Sequence, residues 1–158
     1  MAIRPTFSFE FDTTFSLALQ SVEHRIEELA NTSKVFHFIR GSFREVNMKM
    51  EKTEAPFIVL FTPSGGTAQL KGGWGWDAPK LRLGFFDLVN RESYAEDNMA
   101  VGQAMRAAGV QFIKAMNDSG YFEPITQASY TFYYESFTSH VTGCVFDITV
   151  KQAEGLCV

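Results

Sequence analysis

The segment from Lys80 to Ser119 constrains the fold more than any other, because strand, cap and long helix follow one another there without a break. Leu81 to Val89 (LRLGFFDLV) is an apolar run of buried-strand length, bounded by Pro79 before it and Asn90 after it. Ser93 and Glu96 stand in the S-x-x-E register of a capping box, so a helix is expected to begin near Tyr94. Val101, Met105, Ala108, Phe112 and Ala115/Met116 recur at steps of four and three, which puts them on one stripe of that helix. Gly120 follows Asn117-Asp118-Ser119 as a left-handed stop. A helix with one apolar stripe has to cover an apolar surface. Strand-like sequence lies on both sides of it, so the helix is expected to lid a β-sheet.

Upstream, Phe7, Phe9 and Phe11 alternate with Ser8 and Glu10, the period-two mark of a strand. Residues 1–12 are read either as an edge strand of the same sheet or as an arm that adds to a neighbouring subunit's sheet. Asp12 or Thr13 can cap a first helix, in which Phe15, Leu19, Val22, Ile26 and Leu29 form a core-facing stripe. Asn31-Thr32-Ser33 breaks that helix, and Val35 to Ile39 is a short strand candidate. Gly41 to Thr53 is polar, with Val46, Met48 and Met50 alternating, and reads as a second strand or a loop along the sheet. Phe57 to Phe61 in PFIVLF, closed by Thr62-Pro63-Ser64-Gly65-Gly66, is expected to be a central strand buried on both faces.

Residues 64–79 hold two glycine pairs and two tryptophans, Trp74 and Trp76, and are expected to form a mobile hairpin or loop with both indoles on one side. No phosphate-binding spacing accompanies those glycines. A Trp pair on such an excursion is more often a packing clamp or subunit contact than a stacking platform for a sugar or base. Farther on, Ile125 to Tyr134 is aromatic and β-rich. In the last strand Cys144, Phe146, Ile148 and Val150 alternate with Val145, Asp147, Thr149 and Lys151. Glu135 to Gly143 joins these two strands as a longer connection, and consecutive strands so joined usually pair antiparallel. The expected fold is a single α+β domain over residues 1–158: a mainly antiparallel sheet with two helices on one face.

Function is approached by elimination. A chain of 158 residues, 46% hydrophobic and 20% charged, can bury a core without metal or disulfide support. Its net charge of −4 offers no clustered cations for gripping phosphates, although a passive conduit for DNA should not grip. MAIRPTFSFEFD lacks the apolar centre of a signal peptide, and no apolar run approaches the roughly 20 residues of a membrane span. Cys144 and Cys157 show no ligand or redox spacing, as expected of a reducing cytoplasm. His24, His37 and His140 fall in three separate elements, so no metal or cofactor is expected. Glu135, His140 and Asp147 are the nearest thing to an acid–base set across the final hairpin, but a solvated loop histidine is the plainer reading. Sixteen phenylalanines exceed what one small core comfortably takes. Contact, rather than catalysis, is the expected task.

From Lys80 onward the chain resembles small tail-terminator or tail-completion proteins of tailed bacteriophages, particularly of Bacteroidetes phages and prophages. The similar features are the LRLGFFDLV strand, the capped helix carrying Asp97-Asn98 and a run of Met and Ala, and then Thr131, Phe132, Glu135, Phe137 and Gly143 in TFYYESFTSHVTGCVFDITV. A cysteine, here Cys157, closes the pattern. The resemblance implies a non-enzymatic virion protein, made in the host cytoplasm, that forms a homo-oligomeric ring (a hexamer in such proteins) between neck and tail tube. Other neck, connector or tail-tube proteins would be its partners. DNA would pass through the lumen without specific binding, and no membrane would be involved. Phe7, Phe9, Phe11, Trp74 and Trp76 are the expected subunit contacts. The competing reading is a small ligand-binding or enzymatic α+β domain that uses the Trp-bearing loop as a lid.

Overall fold

The computed structural model describes residues 22–71, 74–89, 95–151 and 156–157. In chain order the elements are α1 (Val22–Ala30), β1 (His37–Gly41), α2 (Phe43–Met50), β2 (Phe57–Phe61), β3 (Gly65–Lys71), β4 (Trp74–Leu88), α3 (Ala95–Ser119), β5 (Ser129–Ser136), β6 (Val141–Thr149) and β7 (Leu156–Cys157). The strands form one sheet in the order β1-β2-β4-β6-β5, with β3 and β7 also paired to β4. Every pairing is antiparallel except β1 with β2, which are parallel and joined through α2. The fold is α+β, with a mainly antiparallel sheet.

Two apolar layers hold the sheet between helices. On one face, Val22, Ile26 and Ala30 of α1 and Met105, Phe112, Ile113 and Met116 of α3 pack on Ile58, Leu60, Leu81, Leu83, Phe85, Cys144, Phe146 and Ile148. These are the two helices expected on one face. The other face carries Phe57, Val59, Phe61, Phe86, Val141 and Val145, covered by Val46 and Met50 of α2. That second layer is why all five residues of β2 are buried, as a strand covered on both sides requires. It also takes up much of the aromatic surplus, because Phe43 is the one strongly exposed phenylalanine among those described.

Three expectations change. Residues 43–50 form a helix rather than a strand or loop. Ser42 and Glu45 make a full capping box, and Val46 and Met50, one turn apart, are buried while Met48 is 49% exposed. The first strand starts at His37 and not Val35, because the Ser33 hydroxyl accepts from the amides of Val35 (3.1 Å) and Phe36 (2.9 Å) and holds them in a turn. The long strand runs through Pro79 instead of beginning after it. The Pro79 carbonyl accepts from the Val150 amide (3.1 Å), so its nitrogen faces that edge as well and no bond to β3 is lost. Opposite it stands Gly66, where a Cβ would lie 2.6 Å from Pro79 Cα.

The stripe expected on α3 packs inward: Met105, Phe112 and Met116 are buried, and Val101 and Ala108 lie partly buried against the same core. Gly102 and Gly109 are buried in the same contact. Glycine carries no hydrophobic signal, yet it is what lets the helix axis approach the sheet. A Cβ on Gly109 would fall 2.7 and 2.8 Å from Cζ and Cδ1 of Phe146. The helix stops at Gly120, whose φ of 79° is the left-handed stop expected there. Ser93 and the beginning of the first helix lie outside the described residues.

A candidate interaction surface along the outer strand

β5 is one lateral edge of the sheet; its described pairing is with β6 alone. Tyr130, Phe132 and Tyr134 alternate on its α3 side, with ring centroids 5.5 Å apart for the first pair and 5.9 Å for the second. Phe132 packs against the core, whereas Tyr130 (44%) and Tyr134 (46%) remain open to solvent. Gly102 leaves room for this row, since a Cβ there would meet Phe132 and Tyr134 at 3.3–3.4 Å. Arg106 reaches across from α3, with its guanidinium carbon 5.8 Å from the Tyr130 ring centre. Met99 and Val110, both more than half exposed, extend the apolar strip along the helix flank. Lys and Pro, the residues that usually guard an edge strand, do not occur between Ser129 and Ser136.

The end of the edge strand is fixed by strained backbone. The connection to β6 is four residues, 137–140, rather than the longer link expected. Glu135 (φ 48°), Phe137 (φ 62°) and His140 (φ 53°) all occupy the left-handed region, where side chains other than glycine are uncommon. A register shift between Tyr133 and Ser136 accommodates the first of these, and the buried Thr142 hydroxyl accepts from the Glu135 amide at 3.1 Å. Asn47 of α2 clamps the turn twice, donating to the Thr138 hydroxyl (3.2 Å) and accepting from the Thr138 amide (3.0 Å). Phe137 then stacks on Phe43 at 4.6 Å and meets Phe86 edge-on at 5.5 Å. Gly143 is obligatory: a Cβ would lie 2.9 Å from Phe86 Cα and closer still to the Phe85 carbonyl oxygen. Thr131, Phe132 and Glu135 thus lie on this edge strand, Phe137 in its turn and Gly143 on the adjoining β6.

On the α2 face, Arg82 donates to Asp147 (3.1 Å) and to the Tyr133 hydroxyl (3.0 Å), beside an apolar pocket lined by Phe43, Phe61, Phe86 and Phe137. The bond to Tyr133 is the main reason its guanidinium is held still more firmly in the charged form; Asp147 adds to the effect. Burial pushes the Cys144 thiol up to about 11, slightly opposed by Arg106. It is a core residue, as the sequence suggested.

Of the expected contact residues, Trp74 and Trp76 lie on β4 in a hairpin with β3, Trp74 paired with Lys71 and Cys157, and Trp76 with Gln69. The excursion of residues 64–79 is thus a hairpin, with β7 on its other side. Phe7, Phe9 and Phe11 lie outside the described residues. The acid–base set does not assemble: Asp147 pairs with Ser129, at the opposite end of β6 from His140, roughly 20 Å away along the strand. His140 is half-buried rather than solvated, and its Nδ1 is enclosed without a hydrogen-bond partner. Among the described residues no group of three His, Cys, Asp or Glu side chains is placed to hold a metal, and no helix is long and apolar enough to cross a membrane. Compared with known proteins, the chain matches no family model and no curated protein.

Proposed function

We propose that this protein is a structural, non-enzymatic component of a tailed-phage virion. Copies of it form a ring, a hexamer, at the neck–tail junction, where it acts as a tail terminator or tail-completion subunit. DNA passes through the lumen, and neck, connector or tail-tube proteins are the axial neighbours. The observation that supports this reading is a sheet that ends, among the described residues, in two unlike lateral strands, β1 on one side and the aromatic β5, without lysine or proline, on the other. A subunit with unlike lateral edges joins head to tail, and such contacts close into rings when the rotation per copy divides a full turn. The edge also bears Thr131, Phe132 and Glu135, and its turn bears Phe137, residues of the phage resemblance. A net charge of −4 per subunit suits a channel through which DNA slides without adhering. Gold-labelled antibody against this chain, applied to purified virions, is expected to mark the head–tail junction in electron micrographs. Virions lacking the protein, or labelled only elsewhere, would overturn the proposal.

A further inference from the structure

We propose that the groove between α3 and the segment leading into β5 binds a small amphipathic carboxylate, a single ring or short alkyl chain with one carboxylate, and that Arg106 takes the carboxylate. The proposal stands apart from the ring reading. α3 runs antiparallel to the chain beside it: Gly102 lies by Phe132, Arg106 by Tyr130 and Asn117 by Ile125. Between the last two contacts the helix and the segment part. The Asn117 side chain donates to the Ile125 carbonyl (3.0 Å) and accepts from the Ile125 amide (2.8 Å), holding that backbone to the helix instead of to β6. The Glu123 amide donates to the Lys151 carbonyl, and Ser129 pairs with Asp147, so six residue steps on this segment face four on β6. The surplus arches away from the sheet. It leaves an opening of about 200 Å³ with Val110 and Ile113 on the helix wall, Ile125 and Ala128 opposite, and Tyr130 and Phe146 completing the lining.

Size, polarity and charge select the ligand. The volume falls below the roughly 300–1,000 Å³ of sites for drug-sized molecules, so it suits one ring or a short chain. Two contacts cross the groove, Arg106 to Tyr130 at one end and Asn117 to Ile125 at the other, so a discrete group fits and a continuous peptide does not. Ile113 and Phe146 are buried, whereas Val110 and Tyr130 are exposed, and an apolar group seated here would cover them. Arg106 is half-buried, and its hydrogen bonds to the Tyr130 hydroxyl and to Gln103 are both long, at 3.4 Å. Its partners are neutral, and among the described residues no carboxylate stands within ion-pair distance of it. Lys114 on the same helix is, by contrast, paired with Asp118 at 2.9 Å. In a chain of net charge −4, an uncompensated guanidinium at the end of an apolar groove favours an anion, and its planar fork matches a carboxylate.

The test is methyl NMR of the full chain, labelled at Val and Ile, titrated with octanoate below its micelle threshold. Octan-1-ol and octylammonium serve as neutral and cationic counterparts. Saturable shifts are expected at the methyls of Val110, Ile113 and Ile125, with octanoate bound about tenfold or more tighter than either counterpart. Arg106→Gln should remove that preference and leave octanoate no better bound than octan-1-ol. Val110→Glu changes an exposed helix position one turn from Arg106 and supplies an internal carboxylate. It should weaken octanoate binding about tenfold with the circular dichroism unchanged. Absence of saturable shifts, equal binding of the three compounds, or octanoate binding undiminished in either variant would each overturn the proposal. Light scattering on the same samples reads the ring separately, so failure of one reading is distinguishable from failure of the other.

Discussion

Replacing Gly109 with alanine sets two effects of opposite sign against each other, and the structure decides between them. In the middle of a long helix, alanine is favoured over glycine by about 1 kcal/mol. Here, however, the new methyl would fall 2.7 and 2.8 Å from Cζ and Cδ1 of Phe146, and nearer still to Cε1. Unstrained carbon contacts sit at about 3.5–4.0 Å. Phe146 has little freedom to withdraw, because its ring lies against Phe85 (5.9 Å between centroids) and Tyr130 (5.7 Å). Overpacking of this kind costs roughly 1–3 kcal/mol, to which the uncompensated crowding of a central helix–sheet contact adds. Gly109→Ala is therefore expected to lower stability by about 1–2 kcal/mol net. The assay is urea unfolding followed by circular dichroism at fixed protein concentration, for the single variant, Phe146→Leu and the double variant. In the Phe146→Leu background the ring edge is gone, so Gly109→Ala should become neutral or stabilising, a coupling of at least about 1 kcal/mol. A wild-type background in which Gly109→Ala stabilises the protein, with no coupling to position 146, would refute the idea that this glycine sets the helix–sheet distance.

Other expectations follow from the same structure. Cys144→Ala and the parent should differ in their pH dependence. Burial raises the thiol from 9.0 to about 11, so the neutral form is favoured in the fold. Its contribution is complete below pH 9 and lost as pH rises to 11, on the order of 2–3 kcal/mol; unfolding curves that stay parallel for the two proteins across that range would contradict it. Ser42→Ala should cost about 1 kcal/mol by removing the cap of α2. The Glu45 carboxyl is held below its usual 4.5 by hydrogen bonds to Ser42, so the cap's contribution is present at neutral pH and lost as pH falls through the lowered value; a Ser42→Ala penalty that is the same at pH 7 and pH 3 would be inconsistent with it. Trp74→Ala with Trp76→Ala is expected to weaken assembly and leave the subunit's circular dichroism unchanged; unfolding of the double variant would assign those indoles to the core instead.

Where one physical signal dominated, the sequence was readable. Phe57–Phe61 and Leu81–Leu88 are strands because short apolar runs rich in Phe, Leu, Ile and Val and bounded by turn residues have few alternatives, and the 3.6-residue stripes of α1 and α3 announce a face to be buried. Where two signals competed, it was not. Val46, Met48 and Met50 fit an alternating strand as well as a helix, and the Ser42–Glu45 box that breaks the tie is a short polar signal. Around Gly102 and Gly109 the important feature is an absence of side chain, which apolar periodicity cannot register. The tight turn after β5 is hidden for the opposite reason: Glu135, Phe137 and His140 occupy positions where glycine or asparagine would have advertised a turn. Its conformation is imposed by Thr142, Asn47 and the Phe43–Phe137 stack, all remote in sequence or on the partner strand. The candidate surface was legible as an aromatic excess, but only the sheet order shows which aromatics lie along the outermost described strand.

The central claim is that this chain works by lateral contact between copies, and the mass of the purified full chain in solution tests it most directly. Light scattering coupled to size exclusion, across a concentration series and with negative-stain images of the same fractions, is expected to give a closed ring; for a hexamer, six times 17.8 kDa is about 107 kDa. A particle that remains at 17.8 kDa at every concentration would contradict the account.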